Sequence, residues 1–235
     1  VKKLAASFGV TFSAQQIIRF SKASVQAFAA DDRAAQVLTR SLANLGLAFE
    51  DLNVKSFISE LQKQTGVLDD QLRPAFQKLL TTTGSVAEAQ KILRTALDLS
   101  AASGVDLETV STDLSKAYVG QTRGLAKYGL GLSQAELKGM KYADVQERIN
   151  KLFGGSAATV ADSYAGKLAR VNVQFKNFQE ATGKALLDGL DNLSGQKGGG
   201  VSWLQARFDA LSDSVSRTVD NFSRFAGAVG LGISG

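Results

Sequence analysis

Histidine and cysteine are both absent from the 235 residues of this chain. Without cysteine there are no disulfides, no thiolate nucleophile and no cysteine ligand for zinc. Without histidine the chain lacks the side chain that most often moves protons near neutral pH. Such a composition suits a cytosolic protein and a virion protein equally. Long apolar runs are missing too: none reaches the roughly 18 residues that a membrane span needs. The longest comparable run, FAGAVGLGI at residues 225–233, lies at the end of the sequence. The chain starts at Val1 without a secretory leader pattern and is expected to be a piece of a longer protein. Charge of one sign is scarce. The net charge is +5, and only residues 71–153 are appreciably basic, with eleven Lys and Arg against eight Asp and Glu. That mixture reads as a solvated surface without a specific nucleic-acid site.

What remains is a helical pattern. Hydrophobic residues make up 44% of the chain, enough for a sizeable core. They recur at helical spacing in nearly every segment, which predicts an all-α fold. Ser13 and Gln16 form a capping-box pattern, followed by Ile17, Ile18, Val25 and Phe28 and then by Val37, Leu38, Leu42 and Leu45 up to Gly46. Asn53 is expected to cap a helix bearing Phe57, Ile58 and Leu61. The single proline, Pro74, is expected near a helix start, where a missing N–H does least harm. Leu72, Phe76, Leu79 and Leu80 share one face of that helix.

Ser85 with Glu88 is a second capping box and Ser133 with Glu136 a third, while Asp106 caps the helix of Leu107, Val110, Leu114 and Ala117. Gly104, Gly120, Gly129 and Gly131 are assigned as structural turns between these helices. Val145, Ile149, Leu152 and Phe153 form the face of the next one. Residues 1–155 are therefore expected to form a compact array of short helices.

From Leu168 the apolar positions follow a heptad through Val171, Phe175, Phe178, Thr182 and Ala185, so residues 156–193 are expected to be an extended, coiled-coil-like helix. Residues 194–202 read as a glycine-rich linker. Residues 203–235 read as an amphipathic helix, opened by a Ser202–Gln205 box and leading into an apolar, glycine-rich end. Its Trp203, Phe208, Phe222 and Phe225 are candidate contacts with a membrane or with a partner helix.

Three short patterns invite a chemical reading and fail on context. Gly124 and Gly129 have the glycine spacing of a phosphate-binding loop, but Leu130 and Gly131 stand where Lys and Ser or Thr are required, and a helix rather than a strand precedes them. Ser194 and Lys197 match the Ser-x-x-Lys of acylating enzymes inside a linker that would not hold them in register. Asp31–Asp32 and Asp69–Asp70 are adjacent carboxylates, which on a helix point about 100° apart. Both pairs are assigned to helix boundaries, where acids favour the positive end of the dipole. No catalytic, cofactor-binding or metal-binding residue is assigned.

The run LSAASGVDLETVSTDLSKAYVGQTRGLAKYGLGLSQAELKGM, residues 99–140, resembles the tail tape measure proteins of long-tailed bacteriophages. The resemblance is carried by Gly104, Leu114, Ala117, Gly120, Leu125, Gly129, Leu130, Leu132, Ser133 and Glu136. A second stretch, YAGKLARVNVQFKNFQEATGKALLDGL at residues 164–190, is similar through Ala165, Gly166, Lys167, Leu168, Arg170, Glu180, Gly183, Leu186 and Leu187. It departs from the family at Asp188–Gly189, where proline is common.

The resemblance implies a helical virion protein in the lumen of the tail tube that sets tail length during assembly and is released at genome ejection. The implied partners are tail tube and tail tip proteins, tail assembly chaperones, further copies through the heptad helices, and a host membrane. The implied places are the virion and, during assembly, the host cytoplasm. No cofactor is implied. A membrane-active helical protein, such as a pore-forming toxin or effector working through residues 203–235, is the alternative reading, and a peptidoglycan-cleaving enzyme is the third.

Overall fold

The computed structural model describes residues 14–194. Trp203, Phe208, Phe222 and Phe225, Ser13 of the first box, the box that begins at Ser202, and residues 195–202 of the linker lie outside the described residues. Nine α-helices follow one another, with two 3-10 turns and no strand among the described residues. They are α1 (Ala14–Asn44), a short turn (Ala48–Glu50), α2 (Asp51–Thr65), α3 (Asp69–Thr83), α4 (Val86–Ser103), α5 (Leu107–Tyr118), a 3-10 segment (Thr122–Tyr128), α6 (Gln134–Lys138), α7 (Tyr142–Phe153), α8 (Ser156–Asp162) and α9 (Tyr164–Ser194). The chain divides into two compact units, one of residues 31–173 and one that joins the two ends of the sequence, residues 1–30 and 174–235.

The core of the unit 31–173 is built on α3, whose Leu72, Phe76, Leu79 and Leu80 have no solvent exposure. Their spacing at i, i+4, i+7 and i+8 puts all four on one face. Burying Phe76 alone contributes about 2–3 kcal/mol. Ala89, Leu93 and Ala96 of α4 and Val110, Leu114 and Ala117 of α5 are buried in the same core. α3 packs chiefly against α5 and then against α4, while α4 also receives α7 and α8. Val145 and Ile149 of α7 are buried, but Leu152 on the expected face is 44% exposed. Beneath α7, Thr95 of α4 donates to Asn150 Oδ1 at 3.0 Å and accepts from Gln146 Nε2 at 3.2 Å. These bonds satisfy polar groups that the α4–α7 contact takes out of water.

In the terminal unit, the rings of Phe20 on α1 and Phe178 on α9 stack 5.7 Å apart. A Cβ at Gly183 would strike the carbonyl of Ser24, so the two backbones meet at a point only glycine permits. Of the heptad positions on α9, Leu168 and Phe175 are about half exposed and Thr182 is buried. Thr182 returns its hydroxyl to the carbonyl of Phe178.

Three sequence expectations need correction. Pro74 is the sixth residue of α3, not a first-turn residue. The helix begins earlier because Leu68 is extended and Asp69 and Asp70 favour its positive end. Pro74 therefore has no N–H to give to the carbonyl of Asp70. Asn53 does not cap α2, which already starts at Asp51; its amide instead donates to Glu50 at 2.9 Å. Asp31 and Asp32 lie within α1 rather than at a boundary.

The caps expected at Ser133 and Asp106 form, and the one at Ser85 forms in part. Ser133 and Glu136 form a complete reciprocal box on α6. Ser85 accepts the N–H of Glu88 to form half of one on α4, while the Ser85 N–H goes to Thr83. Asp106 accepts the N–H of Thr109 at 2.8 Å. That hydrogen bond holds the Asp106 carboxyl below its ordinary pKa of 3.8, so its contribution is present above that value and is lost as the pH falls through the depressed one. Asp106→Asn keeps a capping oxygen but removes the titration. Its melting temperature is expected to decline less than wild type between neutral pH and about pH 3, as followed by circular dichroism. Parallel acid limbs would show that the cap does not titrate with folding.

Candidate functional site

The first stretch of family-like residues coincides with a continuous piece of this architecture, running from the end of α4 through α5 to α6. At its start, Gly104 has φ +72°, a left-handed conformation in which an L side chain is strained, and its N–H closes α4 on the carbonyl of Ser100. Ser100 Oγ donates to the carbonyl of Val105 at 2.6 Å, which sets the short turn into the Asp106 cap.

At the far end of α5 the chain turns at Gly120, where the N–H of Gln121 reaches the carbonyl of Lys116 at 2.9 Å. The hydroxyl of Thr122 then donates to the carbonyl of Leu137 at 2.5 Å, which ties the 3-10 segment to α6. Tyr128 donates to Asp113 Oδ2 at 2.7 Å, and Lys127 forms an ion pair with the same carboxylate. Burial and this acidic neighbour raise the Tyr128 phenol above its usual range, so it stays a donor.

Gly129 ends the segment at φ +69° and Gly131 follows at +68°. Arg148 Nε donates to the carbonyl of Leu130 between them. Leu114, Leu125 and Leu130 have no exposure. Of the residues that invited a phosphate-loop reading, Leu130 fills the core, Gly129 and Gly131 turn the chain, and Gly124 lies exposed within the 3-10 segment.

Two further clusters were not legible as sites. Arg73 on α3 bonds to Asp31 of α1 and, at 2.7 Å, to Asp69. Gln62 Nε2 donates to the same Asp69 at 3.3 Å. Burial pushes the Asp31 carboxyl up, opposed by the charge of Arg73. The only sequence signal was the Asp69–Arg73 spacing of four. Asp98 of α4 has none: its carboxylate accepts the N–H groups of Gly155 and Ala157, at 3.1 and 2.9 Å, and so caps α8 from another helix.

Where α3 and α5 begin and α4 ends, an open groove of about 550 Å³ lies between Val67, Pro74, Leu97, Val105, Leu107 and Val160. Its polar lining includes Asp70, Asp106 and Glu108, and no Lys or Arg lines it. None of the Arg73 cluster reaches it. The groove presents carboxylates above an apolar floor without a preorganised nucleophile–base pair, a geometry that suits docking. No described helix is long and apolar enough to cross a membrane. Comparison with family models, curated proteins and solved structures finds no match to this chain.

Proposed function

We propose that this chain is a segment of a phage tail tape measure protein, which occupies the tail tube, sets tail length during assembly and leaves with the genome. The observation that supports this reading is where the two family-like stretches fall. Gly104, Gly120 and Gly129 occupy left-handed turns, and Gly166 and Gly183 sit where an added methyl would strike backbone. These five glycines of the family-like stretches thus serve architecture. That supports the reading of a structural role in the virion, with tube, tip and assembly-chaperone proteins as proposed partners and further copies meeting through the heptad of α9. Residues 203–235 would supply contact with a host membrane.

The test is tail length. An in-frame deletion of residues 168–193 in the producing phage removes twenty-six residues of α9. At 1.5 Å per residue it is expected to shorten the tail by about 39 Å, measured by electron microscopy. Tails of unchanged length would remove this segment from the ruler. A source that makes no tail would overturn the family reading and leave the membrane-active one, which predicts tight liposome binding through residues 203–235.

A further inference from the structure

The charges around α5 are segregated in a way that one helix does not explain. Its N-terminal end opens on the groove, where Asp106 and Glu108 are joined by Asp70 from α3. Its C-terminal end carries the exposed cations Lys116, Arg123 and Lys138, contributed by α5, the 3-10 segment and α6. The Thr122–Leu137 hydrogen bond brings the last two together, and the Gln121–Lys116 bond folds the turn back onto α5. Among these cations stands Val119, an aliphatic side chain 60% exposed.

Acids at the start and bases at the end of a helix are what its dipole favours. Here, however, both clusters recruit neighbouring elements, and the acidic one surrounds an apolar floor. The twelve residues of α5 separate the two ends by about 18 Å. Glu108 has Lys78 of α3 at 4.0 Å, on the surface and 79% exposed itself, which leaves its carboxylate accessible. None of Lys116, Arg123 and Lys138 forms an ion pair among the described residues.

We infer that the groove receives the basic end of α5 of a second copy of this chain, with Val119 entering the apolar floor and Lys116, Arg123 and Lys138 meeting Asp70, Asp106 and Glu108. The two surfaces are different and lie on opposite ends of one helix, so the contact is heterologous and each copy offers both halves. Repetition gives a head-to-tail string. The occupant is a second copy because one chain supplies both partners in the required chemistry, an exposed aliphatic side chain flanked along the chain by Lys116 and Arg123 and an apolar groove rimmed by carboxylates. This inference goes beyond the proposed function and does not rest on it.

Charge reversal tests it on the full chain by sedimentation velocity. Wild type is expected to associate at about 0.01 M salt and to dissociate at about 1 M, where the Debye length drops from about 30 to 3 Å. Asp70→Lys with Glu108→Lys, which spares the Asp106 cap, is expected to weaken association at least about tenfold. Arg123→Glu with Lys138→Glu should do the same while leaving both helix starts untouched. The decisive sample mixes the two reversed proteins. The lysine groove of one then faces the glutamate end of the other, and their original surfaces pair as well, so association returns at low salt. A wild type that stays monomeric, reversals that change nothing, or a mixture that stays dissociated would each overturn the pairing.

Discussion

Gly166→Ala is expected to lower the melting temperature of the chain by about 6–12 °C, corresponding to about 3 kcal/mol. The residue lies at the sharp corner between α8 and α9. Ser163 makes that corner: its hydroxyl donates to the carbonyl of Val160 at 2.6 Å and accepts the N–H of Gly166 at 3.2 Å. A methyl group at Gly166 would strike the carbonyl oxygens of Val160 and Ala161. Backbone oxygens have no rotamer in which to escape. Relief requires α9 to withdraw from α8, which breaks the Ser163 bonds and exposes Ala161, now fully buried.

Overpacking of this kind typically costs about 1–3 kcal/mol, and the rigidity of the obstacle puts the clash above that range. The better helix propensity of alanine returns up to about 1 kcal/mol, which leaves the net loss stated. Gly139→Ala is the matched control. Its nearest obstacle would be the carbonyl of Glu136, at an ordinary 3.8 Å, and its φ is −89°, so no loss is expected. Equal melting temperatures for the two variants would mean that the corner opens without penalty. Gly183→Ala meets the carbonyl of Ser24 and is expected to act in the same way on the terminal unit.

The difference between these glycines marks the limit of what the sequence discloses. Periodicity identifies the inward face of α3, whose Leu72, Phe76, Leu79 and Leu80 are buried as their spacing requires, but Val37, Leu45 and Leu152 fit the helical pattern and stay exposed. Caps are local, so Asp106 and the Ser133 box were legible within four residues. Helix starts without a capping side chain were not. Leu68 and Glu50 give no side-chain cap, and the nearest recognisable signals, Pro74 and Asn53, lie inside the helices instead.

Long-range partners leave no periodic trace at all. Asp98 caps α8 from 57 and 59 residues away, and Arg170 donates to the carbonyl of Gln64 from 106 residues away. The groove is harder still, because its lining is drawn from the ends of α2, α3, α4 and α5 and from α8. Asp70 and Asp106, read alone, are helix-start residues. Their convergence comes from packing α3 against α5 and belongs to tertiary structure.

Removing the guanidinium of Arg73 is the second large effect expected. Arg73→Met preserves length and apolar volume but leaves Asp31 and Asp69 facing each other with side chains only 19% and 12% exposed. Losing the partner of buried charges costs about 3–5 kcal/mol, and residual solvent access here favours the lower figure, about 3 kcal/mol. Asp31 already ionises at a cost. Its raised pKa means that the folded chain holds the proton more tightly than the unfolded one, so at neutral pH the carboxylate subtracts from stability. Arg73 reduces that cost.

A carboxamide at position 31 carries none of it. Asp31→Asn in the wild-type background is expected to change stability by less than about 1 kcal/mol, since Arg73 keeps Asp69. In the Arg73→Met background the same change should recover at least about half of the loss, because it removes one of the two stranded charges. Urea titrations of the four proteins give the coupling directly. Additive effects, or an Arg73→Met variant within about 0.5 kcal/mol of wild type, would show that solvent screens the pair as it does an ordinary surface ion pair. A coupling of the expected size makes Arg73 the residue that allows α1 and α3 to pack with acidic side chains turned toward each other.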